Sequence, residues 1–330
     1  MSKALDKENI VWWFQQDELD ILETFSVVEP SKAGDFWTFL KGSSNNPVCI
    51  VAHADTVHTQ EPDKIYHDPV AKVYWSPSGL GGDDRAGCYA AWKLWTLLGG
   101  RHSVLITTGE ESGGYGALDA SDALEKELGE HQFFIQLDRR GKSDAVFYSV
   151  STPEFEKYVL KSLPRFNAES GSFTDICILC PTAGRCGVNL SIGYKNEHRD
   201  SEYLNLNHTE HTIKDLVRWL KADNIPAFPL EQTKYTRHKK YTATTGLGWY
   251  ESTGGWQRSG TDQYVAGESL FEMTPPDEPA WQKDQECYVC TEDLKSTEHY
   301  ICEACREENP EEFADLDVDS EGNISGTEVK

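Results

Sequence analysis

The sequence is short of positive charge. Its 31 Lys and Arg stand against 55 Asp and Glu, a formal net charge of −24 at pH 7. Nucleic acid and anionic membrane surfaces both select a basic face, so neither is an expected partner. Long apolar runs are also missing, and no stretch approaches the roughly 18 residues of a membrane span. The start, Met1-Ser-Lys-Ala-Leu-Asp-Lys-Glu8, lacks the basic-then-apolar order of a secretion signal. These absences lead to the expectation of a cytoplasmic chain. The nine cysteines stay reduced in that compartment, so closely paired ones point to metal before disulfides. No repeat with a period of about 20 to 50 residues is visible, which removes solenoids and propellers.

What is present suffices for a full core in 330 residues. Apolar spacing predicts a helix over 4–20, then strands at Phe25–Val28 and Asp35–Lys41, and a buried strand at Val48–Ala52. A helix is expected over Asp84–Leu98, a strand at Ser103–Thr107, a helix at Ser121–Leu128 and strands at His131–Leu137 and Ala145–Val150. Pro153–Leu163 reads as a helix, Gly171–Leu179 as a glycine-led turn into an apolar segment, Gly187–Gly193 as a strand and Thr209–Ala222 as an amphipathic helix. Strands alternating with helices in this way imply an α/β three-layer sandwich around a largely parallel sheet. The character changes after about Pro226. We therefore divide the chain into a main α/β domain at 1–228, a linker or extended arm at 229–285, a cysteine-paired module at 286–306 and an acidic tail at 307–330.

Three runs concentrate acids and imidazoles just after apolar strands or glycine-rich turns: Val51-Ala-His-Ala-Asp-Thr-Val57, Gly79-Leu-Gly-Gly-Asp-Asp-Arg-Ala-Gly87 and Leu105-Ile-Thr-Thr-Gly-Glu-Glu-Ser-Gly-Gly114. Strand ends deliver side chains into a cleft in α/β folds. Amide hydrolysis near neutral pH needs a strong nucleophile and a sink for the oxyanion, and two divalent ions about 3.5 Å apart supply both. Such a centre calls for a bridging carboxylate, a His and an acid on each ion, and a free carboxylate as base. His53, Asp83, Glu111, Asp138 and His198 meet the ligand need, and Glu110 is left over. Singly, a His-x-Asp or an acid pair is usually a solvated turn; their conjunction in order changes that reading.

The order His53-Ala-Asp55, Gly82-Asp-Asp-Arg-Ala-Gly87, Glu110-Glu-Ser-Gly113, Gln136-Leu-Asp138 and Gly193-Tyr-Lys-Asn-Glu-His198 resembles the co-catalytic di-zinc exopeptidases: zinc aminopeptidases, tripeptidases, glutamyl aminopeptidases, glutamate carboxypeptidases and aminoacylases. The resemblance covers roughly the first two-thirds of the chain. It implies the phosphorylase/hydrolase-like fold of those peptidases and two zinc ions, or other divalent ions such as cobalt or manganese. It implies that Asp83 bridges, that His53 and Asp138 complete one ion, and that Glu111 and His198 complete the other. Asp55 would orient His53 through the second ring nitrogen, and Glu110 would be the base. Asp84 is the neighbouring alternative to Asp83 as bridge. Arg85, Ser172, Asp175 and Glu202 also fall in family-like positions and are given supporting roles. Only residues 139–197 separate Asp138 from His198, too few for the lid domain that carboxypeptidase-like and acylase-like members insert there. The expected activity is aminopeptidase action on short peptides. Carboxypeptidase action or deacylation of N-acyl amino acids at the same site is the alternative, and a catalytically idle binding or assembly protein is the alternative of another class.

Cys287-Tyr-Val-Cys290 and Cys302-Glu-Ala-Cys305 aim two thiolate pairs across an eleven-residue spacer, a pattern that resembles a zinc ribbon. One structural zinc is expected there, with the ion supplying most of the stability. The acids around the ribbon disfavour nucleic acid, so it reads as a docking or self-association appendage. Asp317 to Glu328 resembles a twelve-residue calcium loop, with Gly322 at position 6 and Glu328 at position 12. Lys330 leaves no exit helix, so a disordered tail competes with calcium binding. The remaining cysteines, Cys177 and Cys180 included, read as core hydrophobes.

Overall fold

The structure, a computed structural model, describes residues 7–230 and the backbone of two strands at 249–252 and 255–258. The chain enters through α1 (Ile10–Phe14) and α2 (Glu18–Ser26). The single helix expected over 4–20 is split because Asp17 turns extended and caps α2, accepting the Asp20 amide at 2.8 Å. The strand expected at Phe25–Val28 is instead the end of α2. Ile21, Leu22 and Phe25 form its buried stripe, and the Phe25 ring packs 5.8 Å from Trp13 and 5.6 Å from Trp92. A short apolar run reads as strand or helix equally well until packing decides.

Strands β1 (Ser31–Ala33), β2 (Trp37–Leu40), β3 (Cys49–His53), β4 (Tyr66–Asp68) and β5 (Val73–Trp75) precede the long helix α3 (Gly82–Leu97). Strand β6 (Ser103–Thr107), helices α4 (Tyr115–Ala123) and α5 (Glu125–Gly129), and strands β7 (Phe134–Arg139) and β8 (Asp144–Val146) follow. Then come α6 (Pro153–Ser162), β9 (Asn167–Glu169), α7 (Ile176–Ala183), β10 (Gly187–Ser191), β11 (Tyr194–Lys195), β12 (Tyr203–Asn205) and α8 (Leu206–Leu220). The apolar segment after Gly171 is thus the helix α7. Among the described residues, everything between Asp138 and His198 belongs to the sheets and their covering helices, and no lid domain is inserted. No described helix is long and apolar enough to cross a membrane.

Eight strands form the main sheet in the order β1-β2-β6-β3-β7-β10-β8-β9, with β6-β3-β7-β10 parallel. Its centre is apolar on both faces, as a doubly covered parallel sheet requires. Ile50 and Ala52 of β3 join one cluster with Ala90, Leu94, Phe155 and Leu216; Cys49 and Val51 join the other with Ala120, Leu128, Ile176 and Leu179. Alternate residues therefore feed two cores, and the helices form the outer two layers of the sandwich. Strand order turns back at β3: the chain leaves to β6 on one side and returns to β7 on the other. A crevice opens at the carboxyl ends of strands where order reverses in this way.

A second, antiparallel sheet, β11-β12-β5-β4, carries the hairpin that holds His198. In the segment expected to be a linker, β13 (Trp249–Ser252) and β14 (Gly255–Arg258) pair as an antiparallel hairpin. The proposed ribbon cysteines Cys287, Cys290, Cys302 and Cys305 and the acidic tail lie outside the described residues.

Two core histidines are locked neutral. His131 accepts from Ser103 Oγ at 2.7 Å and donates to the Leu128 carbonyl at 3.1 Å, and Ser103 in turn accepts the Gly42 amide at 3.0 Å. His102 accepts the Val48 amide at 3.1 Å and donates to the Leu220 carbonyl at 2.8 Å. Burial pushes His131 down to about 4 from its ordinary 6.5. The unfolded chain then binds the extra proton first, so this stability is complete above pH 6.5 and is lost as pH falls toward 4, on the order of 3 kcal/mol. Urea midpoints should therefore drop between pH 7 and pH 4.5. His131→Gln should be weaker at pH 7 yet show a smaller slope; an unchanged slope would assign the acid sensitivity elsewhere.

Candidate metal centre

The crevice at the end of β3 collects the residues singled out in the sequence. β3 ends in His53, β7 delivers Asp138, the turn after β6 carries Glu110 and Glu111, the first turn of α3 carries Asp83, and the β11–β12 hairpin carries His198. Asp83 sits between the two imidazoles. Its Oδ1 is 3.4 Å from His53 Nε2 and its Oδ2 is 3.2 Å from His198 Nε2. His53 Nε2 is also 3.6 Å from Asp138 Oδ1, and His198 Nε2 is 3.0 Å from Glu111 Oε1. By these contacts each imidazole faces Asp83 and one carboxylate of its own, whereas the groups whose ligand atoms all lie within 4.8 Å of one another are His53 with Asp83 and Glu111, and His53 with Asp84 and Asp138.

Backbone conformation sets this up. Gly81 adopts φ 68°, a left-handed turn that suits glycine, and Asp83 departs from helical angles, which turns its carboxylate off the axis of α3. Glu202, buried beneath, accepts the amides of Gly81 at 2.7 Å and Asp83 at 2.8 Å, with His58 Nε2 at 3.3 Å from it. His198 and Asn196 have φ of 62° and 59°, so the loop bearing Glu202 also holds a histidine in a costly conformation. Asp84 lies within 4.8 Å of His53 and Asp138 too, but it is spent on the backbone. Its oxygens accept the His53 amide at 3.3 Å and the Gly87 amide at 3.0 Å. A side chain at position 87 would overlap that carboxylate and the Leu137 carbonyl. Asp84 therefore braces the turn, and Asp83 faces the crevice.

Asp55 has two jobs. Its backbone carbonyl and Oδ1 lie 3.1 and 3.3 Å from His53 Nδ1, and its carboxylate accepts the amides of Glu110 and Glu111 at 3.2 and 3.1 Å. Asp138 is braced by hydroxyls, accepting Tyr194 at 3.0 Å and Thr174 at 2.6 Å. Asp175 accepts Thr107 Oγ1 at 2.5 Å and leaves its other oxygen unpartnered. Arg85 points away to the Phe14 carbonyl at 3.0 Å, and Ser172 is exposed. His58, Tyr194, Thr107 and Thr174 carried no spacing signal. Tyr194 does sit inside the run that ends in His198.

The electrostatics fit divalent cations. Burial pushes Glu110 up to about 9 and Glu111 up to about 7, with neighbouring carboxylates adding to both. Burial opposes charge on Asp83, yet the His198 and His53 imidazoles hold it well below the usual carboxylate range. The Asp83 hydrogen bond lifts His198 to about 9. Two imidazoles cannot neutralise Asp83, Glu110, Glu111 and Asp138 together, and buried uncompensated charge is costly. Asp83 Oδ1 and Glu111 Oε1 are buried and accept no hydrogen bond, although imidazole nitrogens lie beside them. Imidazole with carboxylate oxygen is a donor set that suits zinc and similar ions.

The sequence matches no family model and no curated protein. Solved structures do match. A PepT aminopeptidase from Bacillus cereus superposes with a TM-score of 0.50 at 14% identity, over 64% of this chain and 96% of that one. A tripeptidase from Staphylococcus aureus superposes with a TM-score of 0.53 at 13% identity, again over 64% and 96%. The chain has the fold of these peptidases. The matched part of this chain spans nearly the whole length of both neighbours.

Proposed function

We propose that the chain is a metal-dependent peptidase, an aminopeptidase acting on short peptides. The observation that carries this reading is the split of the Asp83 carboxylate, one oxygen toward His53 and the other toward His198. His53, Asp138 and Asp83 would hold one divalent ion, and His198, Glu111 and Asp83 the other. Bound there, a pair of ions would supply a nucleophilic water at neutral pH and a sink for oxyanion charge. The rest falls to side chains. Glu110 takes a proton on its carboxylate and returns it to the leaving amine. Asp55 fixes the His53 ring and the turn that presents Glu110. Tyr194 and Thr174 hold Asp138 in place, and Glu202 holds the backbone on either side of Asp83. That an aminopeptidase and a tripeptidase share this fold supports the substrate class.

The test is hydrolysis of a peptide set with free and acetylated amino termini, read by mass spectrometry with and without a chelator. Stepwise loss of residues from free amino termini only, abolished by the chelator and restored by zinc, cobalt or manganese, is the expected result. Cleavage of acetylated peptides would move the assignment to a carboxypeptidase or deacylase. Absence of turnover with metal bound would leave a binding or assembly protein on this fold.

A further inference from the structure

The metal centre is rich in carboxylates, and the whole chain is acidic, yet the cavity next to the centre is basic. A cavity of about 390 Å³ opens between the segment that follows Asp138 and the segment that leads into His198. Arg140, Lys195 and Arg199 line it with Asp144, Glu197 and Gly141. The two carboxylates in the lining are already engaged. Asp144 Oδ2 accepts from Arg139 Nε at 3.2 Å, and Glu197 pairs with Arg140. Three cations, Arg140, Lys195 and Arg199, thus share the lining with two acids that are already paired, and Arg199 is exposed on the loop.

Tyr194 joins this cavity to the centre. Its hydroxyl donates to Asp138 Oδ1 at 3.0 Å, while its carbonyl accepts the Gly141 amide at 2.8 Å. The walls are therefore direct continuations of two residues that would hold metal. An extended peptide advances about 3.3 to 3.6 Å per residue, so a substrate lying across the centre brings its next groups to this wall. Guanidinium and ammonium groups gathered at one wall select a carboxylate, which a guanidinium can bind through two parallel hydrogen bonds.

From this geometry we infer that the cavity is an anion subsite that takes a carboxylate of the peptide substrate. This deepens the peptidase reading and rests on it for the identity of the ligand. The carboxylate has two sources, an acidic side chain or the carboxyl terminus of a short peptide, and both meet the same cations.

Equilibrium binding to the full-length Glu110→Gln protein, loaded with zinc, tests the subsite without requiring turnover. The probes are Leu-Gly-Glu amide against Leu-Gly-Gln amide for the side chain, and Leu-Gly-Gln free acid against its amide for the terminus. In at least one pair the carboxylate form should bind about fivefold or more tightly, as expected for one partly exposed ion pair. The preference should shrink between about 0.05 M and about 0.5 M salt. Adding Arg140→Gln and Arg199→Gln together should remove it while leaving the uncharged peptides unchanged, and Arg199→Glu alone should favour the amides. Equal affinity within both pairs, or a preference that survives the double change, would overturn the subsite. A preference that is present in a chain whose unmodified form hydrolyses no peptide supports the subsite and sinks only the peptidase reading.

Discussion

Replacing Glu110 by Gln should lower turnover of a free-amino-terminus peptide about a thousandfold, within the range carried by a positioned general base, while metal content and peptide binding stay near those of the unmodified chain. The substitution keeps the shape of the side chain and removes its capacity to take a proton. Its backbone should not move, because the Glu110 amide is held by Asp55, not by its own carboxylate. The carboxyl group is suited to hold a proton. Burial, reinforced by Asp138, Asp175 and Glu111, pushes it to about 9 in the metal-free chain, far above a surface glutamate. Added cations lower that value toward neutrality by offsetting the same neighbouring charges. The check is kcat by mass spectrometry alongside metal content by elemental analysis. A loss of less than about tenfold would move the base elsewhere, and Asp175 would be the next candidate. It is fully buried, has an unpartnered oxygen and is raised to about 7 by burial.

Much of the centre was legible because each ligand follows an element with a plain local signature. Val48–Ala52 is an apolar run that ends in His53, Ser103–Thr107 is one that leads to Glu110 and Glu111, and His131–Leu137 is one that leads to Asp138. Such runs place side chains at strand ends without knowledge of tertiary contacts. The parallel three-layer architecture followed from the same rhythm. The small sheet β11-β12-β5-β4 did not, since its strands are two or three residues long and its two local hairpins join only through β12 and β5, more than 120 positions apart, as Trp75 pairs with Tyr203. Consequently the jobs that depend on it were hidden. Glu202 is merely one more acid in an acidic sequence until the hairpin lays it under the Gly81 and Asp83 amides. His58, whose Nε2 lies 3.3 Å from Glu202, is likewise placed only by that hairpin. Arg140 and Arg199 meet at one cavity only because β7 and β10 pair and the chain then turns into β11. Phe25 was misread locally: its apolar neighbours suit a strand, and only the Trp13 and Trp92 rings reveal a helix face.

Asp83→Asn should abolish most of the thermal stabilisation that zinc confers, and Asp84→Asn should not. A ligand that binds only the folded chain stabilises it by about 4 kcal/mol at a thousandfold excess over its Kd, which for a domain of this size is on the order of ten degrees in Tm. That rise requires both oxygens of residue 83. Oδ1 faces His53 and Oδ2 faces His198, so an amide at this position keeps one acceptor and turns an N–H donor toward the other donor set. The charge shared between the two sets is lost at the same time. Asp84 is expected to behave in the opposite way. Its oxygens accept the His53 and Gly87 amides, so an amide there opposes an N–H with an N–H and costs about 1 to 3 kcal/mol whether or not zinc is added. Thermal scans of both variants with and without zinc separate the two residues. If zinc instead raised the Tm of Asp83→Asn as it does the unmodified chain, while failing to stabilise Asp84→Asn, the shared ligand would be Asp84.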